Sequence, residues 1–103
     1  MKRDRRYNRL MAVKIIFRSH ALIRMFQRRI NPEDVRLVIE RGDVIEDYAS
    51  DLPYPSRLIL GWSDRRPIHV VAAYDAAAQT EIVITVYEPD SAQWDRTFKR
   101  RLP

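Results

Sequence analysis

Residues 19–48 read SHALIRMFQRRINPEDVRLVIERGDVIEDY, and a change of hydrophobic period inside that stretch decides the fold. Up to Arg41 the apolar residues recur at helical spacing; from Val44 onward they alternate, as in a strand with one buried face. Ser19 offers an N-cap for a helix running to about Arg29, with Leu22, Ile23, Phe26 and Ile30 as its apolar stripe. His20, Arg24, Gln27 and Arg28 take the other side. Asn31-Pro32-Glu33-Asp34 then opens a second helix to Arg41. Asn31 can cap it, Pro32 suits a first position whose N–H would go unused, and the two acids favour the positive helix end. Val35, Val38 and Ile39 form its expected buried face, and Gly42 is the residue type that ends a helix in the left-handed conformation.

Upstream, Met11 to Phe17 reads as a first strand. Downstream, Val44 to Tyr48, Arg57 to Trp62, Pro67 to Tyr74 and Glu81 to Glu88 read as four more. The two prolines of Asp51 to Ser56 make a stiff connection, while Ser63 to Arg66 and Asp75 to Thr80 look like hairpin turns, so the strands should form an antiparallel meander. Pro89 stops the last strand. Asp90 followed by Gln93 resembles the cap of a short final helix presenting Trp94 and Phe98, and both Trp62 and Trp94 are expected to pack inside. The expectation is an α+β domain in the order β-α-α-β-β-β(-β), with two N-terminal helices on one face of an antiparallel sheet. It would occupy residues 11–98, between a flexible basic arm at 1–10 and a basic tail at 99–103; translation could begin at Met1 or Met11.

At 103 residues and 46% hydrophobic, the chain suffices for one core and is too short for two. Cysteine is absent, which removes disulfides and thiolate catalysis and fits a reducing, cytoplasmic setting. No apolar run approaches the roughly 20 residues of a membrane span, and Lys14 and Arg18 interrupt what would be a signal-peptide core. The net charge of +5 is concentrated: residues 1–10 and 96–103 each carry +4, and the rest carries −3. Sixteen of the nineteen cations are Arg, whose planar fork suits bidentate phosphate contacts, so an anionic partner is favoured. No spacing among His20, His69 and the acids resembles a metal site, and with Gly42 and Gly61 the only glycines there is no phosphate loop; neither metal nor cofactor is expected.

The stretch Ser19 to Ile30, with its H-A-x-x-R-M-x-x-R pattern, together with Gly42 to Asp47, Arg66 to Val71 and the V-Y-E-P-D strand end at Val86 to Asp90, resembles a bacterial family called domain of unknown function 4258. That family looks like a distant relative of the RelE/ParE and BrnT type toxins. The resemblance implies a RelE-like fold and a metal-independent endoribonuclease of a type II toxin-antitoxin system. It also implies RNA as substrate, such as ribosome-associated messenger RNA, and a cognate antitoxin, which can be a zinc-binding protein with a DNA-binding domain. The alternative is a non-catalytic module of the same fold that holds a protein or nucleic-acid partner.

Metal-free RNA cleavage needs a base for the 2′-hydroxyl, cations for the phosphorane and an acid for the leaving oxygen. His20, Arg24 and Arg28 are spaced i, i+4, i+8, so one helix face can present a base and two phosphate clamps. In the first helical turn, beside an Arg, His20 is expected to be neutral and able to accept a proton. The plainer reading is an ordinary solvated helix face. His69 alternates with Ile68 and Val70; it is either a buried, hydrogen-bonded histidine or a second acid or base. Tyr87 could contact a phosphate or stack on a base, or simply pack with its hydroxyl at the surface. Arg29, Arg65 and Arg66 are the remaining candidates for nucleic-acid contacts. Arg65 and Arg66 lie at a hairpin tip where solvation is the default, and Asp90 is read as a cap rather than a catalytic carboxylate.

Overall fold

The computed structural model describes residues 14–103; the expected basic arm and residues 11–13 of the expected first strand lie outside the described residues. The elements follow in the order β1 (Lys14–Phe17), α1 (Ser19–Gln27), α2 (Pro32–Arg41), β2 (Asp43–Tyr48), β3 (Ser56–Ser63), β4 (Arg66–Asp75) and β5 (Thr80–Tyr87). The class is α+β, with two helices and a five-stranded sheet of order β1-β5-β4-β3-β2. The meander β2 to β5 is antiparallel as expected, but β1 lies parallel to β5, with Ile16 opposite Ile82. Direction explains it: the helical connection leaves β2 running opposite to β1, and three antiparallel steps bring β5 back parallel.

Directly paired residues share a sheet face. Ile59 pairs with Val70 and Val70 with Val86, and this fully buried row meets Ala21 and Met25 of α1 and Val35, Val38 and Ile39 of α2 in one core. The neighbouring row, Leu60, His69 and Tyr87, therefore looks the other way. α2 starts as the sequence dictates: the Asp34 amide donates to Asn31 Oδ1 at 2.8 Å and the Asn31 amide to Asp34 Oδ2 at 3.3 Å, with Pro32 in the first turn. It ends differently. Gly42 has φ −74°, not the left-handed value expected. Glycine is needed there for closeness, since a Cβ would stand 2.5 Å from the Val38 carbonyl oxygen and 2.6 Å from that of Leu60. Gly61 serves the same contact, because its Cβ would come within 2.5 Å of a Val38 methyl.

α1 is rotated relative to the expected stripe. Ala21 and Met25 are its buried residues, while Leu22, Ile23 and Phe26 are 46%, 57% and 87% exposed. Arg18, in extended conformation and without a side-chain cap bond, takes the N-cap position expected for Ser19. The C-terminus fixes the rotation. Arg29 is left-handed at φ 55°, the Ile30 amide donates to the Met25 carbonyl at 2.9 Å, and the Arg29 amide donates to that of Phe26 at 3.3 Å. This is a Schellman closure, whose hydrophobic pair here is buried Met25 and Ile30, so the inward face must be the one that carries Met25.

The expected final helix is replaced by a small hairpin. Asp90 does cap one turn, taking the Ala92 amide on its carboxylate at 2.8 Å and the Trp94 amide on its carbonyl at 3.0 Å. Asp95 then ends it: its carboxylate accepts the Thr97 amide at 3.1 Å and hydroxyl at 2.7 Å, competing for donors that a helix would use internally. The chain reverses, the Asp95 amide donates to the Arg100 carbonyl at 2.9 Å, and the Leu102 amide to that of Gln93 at 2.9 Å. This tail, reaching well beyond residue 98, covers the sheet face opposite the helices.

Candidate functional site

Where β5 leaves the sheet, the second half of α1 and the tail hairpin flank a cleft of about 750 Å³. Arg24 and Arg28 line it from the helix, Tyr87 to Ser91 from the strand end, and Gln93, Trp94 and Phe98 from the tail. The Schellman closure and Arg66 hold the helix end in place. The Arg66 guanidinium donates to the carbonyls of Arg28 and, at 3.1 Å, of Arg29, two acceptors that a helix end leaves without intrahelical partners, while its Nε donates to the Glu88 carboxylate at 2.6 Å. Arg66, expected as a phosphate contact, is thus committed to tying helix to strand. The side chains of Arg24 and Arg28 have no hydrogen-bond or ion-pair partner among the described residues. The cleft lining thus holds two guanidiniums and the carboxylates of Glu88 and Asp90; the first of these is occupied by Arg66 and the second takes the Ala92 amide.

Behind the cleft sits His69, fully buried. Its Nε2 lies 2.8 Å from the Phe98 carbonyl oxygen, which only accepts, so Nε2 carries a proton and donates it. In the neutral ring Nδ1 is then an acceptor, and the Tyr87 hydroxyl, 3.2 Å away, donates to it. Burial lowers the His69 pKa, opposed by the Phe98 carbonyl and reinforced by the charge of Arg101. Burial likewise raises that of Tyr87. The imidazole is boxed by Trp94, edge-on with ring centres 4.5 Å apart, and by Tyr87 at 5.2 Å. Arg101 stacks over Trp94 at 4.6 Å and donates to Glu46 at 3.3 Å, which also accepts from the Tyr48 hydroxyl. Burial acts to raise the pKa of Glu46, but the bonds from Tyr48 and Arg101 outweigh it and the net shift is downward.

Of the residues singled out in the sequence, Arg24, Arg28 and Tyr87 come together in one cleft. His69 does not line it but touches the lining residues Tyr87, Trp94 and Phe98, and its hydrogen-bonded burial is the plainer of the two readings of that residue. His20 is exposed one turn before Arg24 and does not line the cleft. Arg65 is exposed at the tip of the β3–β4 hairpin, also away from it. Arg29 lies beside a second hollow of about 960 Å³, lined chiefly by Leu22, Ile23, Met25, Phe26, Ile30 and Pro32. Trp94 is buried as expected, but Trp62 is 52% exposed at the end of β3, where Phe98 meets its ring edge-on at 6.0 Å. Sequence reading missed Ser91 and Gln93, and it missed the buried Arg57–Glu81 pair. A signal for the pair existed, since Arg57 shares strand parity with Ile59 and Gly61, both on the helix side.

Residues 17–88 match the family described as domain of unknown function (DUF4258). The chain belongs to this family. The DUF4258 segment contains α1 with Arg24 and Arg28, the His69–Tyr87 pair, and Arg66 with Glu88; Ser91, Gln93 and the tail hairpin lie outside it. No curated protein and no solved structure matches the chain. Among the described residues no helix is long and apolar enough to cross a membrane, and no group of His, Asp or Glu side chains is arranged to hold a metal ion.

Proposed function

We propose that the protein binds single-stranded nucleic acid in the cleft beside α1, with Arg24 and Arg28 holding the phosphate backbone. The observation that carries this is the pair of uncommitted guanidiniums, one turn apart on a helix whose end is fastened, opening on a space shared with half-buried Tyr87 and Phe98. A single strand suits that combination, since cations track its phosphates while splayed bases stack on aromatic rings. The test is fluorescence anisotropy with a short labelled oligonucleotide over a salt series. For single strands the logarithmic salt slope is about −0.7 per phosphate contacted, so replacing both arginines with Ala should flatten it by about 1.4 and weaken binding at low salt. Unchanged binding in the double variant would remove the site.

A second reading, metal-independent RNA cleavage, is favoured by the Tyr87–His69 hydrogen bond. Tyr87 would take the 2′-hydroxyl proton as its own passes to His69 Nδ1, while the 2′-oxygen attacks phosphorus and Arg24 and Arg28 hold the phosphorane; the P–O5′ bond then breaks, the 5′-oxygen takes a proton from water, and His69 returns its extra proton through Tyr87 to the hydroxide left behind. On this reading His20→Ala leaves cleavage in chelator unchanged, whereas Tyr87→Phe abolishes it; equal cleavage by the Tyr87 variant eliminates the relay. Kinship with the RelE/ParE and BrnT type toxins, for which the observed β-α-α-β-β-β-β order speaks, belongs to the same proposal, as do a cytoplasmic location and an antitoxin partner. Growth arrest on expression, relieved by a co-expressed neighbouring gene, is the corresponding test.

A further inference from the structure

We propose that Tyr87 makes the cleft selective for RNA over DNA by accepting a hydrogen bond from a ribose 2′-hydroxyl. This rests on nucleic acid occupying the cleft and goes on to say which kind. A phenolic oxygen has one proton to give and lone pairs to receive with. The Phe98 carbonyl at 2.8 Å takes the Nε2 proton of His69, burial keeps the ring neutral, and the Tyr87 proton is therefore committed to Nδ1 at 3.2 Å. What Tyr87 offers the cleft is acceptor only. Phosphate oxygens are also acceptors and gain nothing from it; they have Arg24 and Arg28 in the same cleft. On a nucleic-acid backbone the only donor is the 2′-hydroxyl, present in RNA and missing in DNA.

The polarity of Tyr87 is set from the tail. Phe98 is held left-handed at φ 59°, with its amide donating to the Asp95 carbonyl at 3.0 Å, so that its own carbonyl points at His69. The tail lies outside the family segment, so the residue that sets this polarity, Phe98, is separate from the matched domain that carries His69 and Tyr87.

The test uses the full chain and three labelled hexanucleotides of one base: uridylate RNA, its 2′-deoxy counterpart and its 2′-O-methyl counterpart. One neutral hydrogen bond corresponds to about fivefold in affinity, so RNA should bind about fivefold tighter than the deoxy strand, and the 2′-O-methyl strand, which cannot donate, no tighter than the deoxy strand. Tyr87→Phe should abolish the difference between RNA and the deoxy strand, with folding checked by a thermal melt. If that variant does not fold, the three ligands on the natural chain still decide. Equal affinity for RNA and DNA overturns the role of Tyr87 while leaving the cleft intact. A 2′-O-methyl strand binding like RNA assigns the preference to strand shape and overturns it too. Failure of all three to bind overturns the nucleic-acid reading itself.

Discussion

Replacing Arg57 by Met should be among the most damaging single substitutions in the chain. Both its terminal nitrogens lie 2.9 Å from the two carboxylate oxygens of Glu81, and the side chains are only 2% and 5% exposed. At that distance and an effective dielectric of about 20, the attraction is about 6 kcal/mol, which desolvation of two ions, several kcal/mol each, largely offsets. The intact pair is thus close to neutral. Removing only the cation leaves the desolvation of Glu81 uncompensated, a loss of about 3–5 kcal/mol against a total stability of about 5–15 kcal/mol. At about 4–8 °C per kcal/mol for a domain of this size, the melting temperature should fall by some 12–40 °C. Urea titration followed by circular dichroism gives the energy directly, and Arg57→Met/Glu81→Leu should recover most of it because the unpaired charge is gone. A single variant within about 1 kcal/mol of the natural protein, or a double variant as weak as the single one, would refute the reasoning.

Three further outcomes follow from the same geometry. Burial holds the His69 pKa below its unfolded value of about 6.5, so protonation favours unfolding; stability should be full above that pH and fall as pH drops through the window below it. Urea midpoints at pH 7.5 and 5.5 should show this fall, reduced in His69→Asn. Arg29→Gly should raise stability by about 1 kcal/mol, read from a thermal melt, because glycine adopts the left-handed closing position of α1 without strain and the Arg29 contact to Arg66 is through its carbonyl. Phe26→Ser should change stability by less than about 0.5 kcal/mol whereas Met25→Ala costs about 2–5 kcal/mol, an ordering opposite to what residue size suggests and measurable by the same urea titration.

That last contrast shows where the sequence was readable. The strands were, because alternation reports a sheet directly, and α2 was, because Asn31, Pro32 and Asp34 each have one use at a helix start. α1 was not, since its sequence contains two apolar sets: Leu22, Ile23 and Phe26 outweigh Ala21 and Met25 in hydrophobic area, and only the closure through Arg29 and Ile30 chooses between them. Residues on one local element were legible in the site: spacing alone put Arg24 and Arg28 on one face. The His69–Tyr87 contact depends on strand register, and the Phe98 contact on a reversal controlled by the Asp95 carboxylate; neither leaves a periodic trace.

The division of the site between segments bears on how it would diverge. Arg66 reaches from the β3–β4 hairpin to the last carbonyls of α1 and to Glu88, so the positions of Arg24 and Arg28 are set wholly inside the family domain. The proton order along Phe98, His69 and Tyr87 is set from outside it. A chain with the same domain and a different tail would keep Arg24 and Arg28 in place and leave His69 free to take the other tautomer. Its tyrosine would then accept from Nδ1 and offer its own proton to the cleft, favouring phosphate over the ribose hydroxyl. Truncating this chain after Gln93 should therefore preserve the salt slope of binding and abolish the RNA preference, provided the truncated chain still melts cooperatively. A truncated, folded chain that kept the preference would show that the tail does not set it.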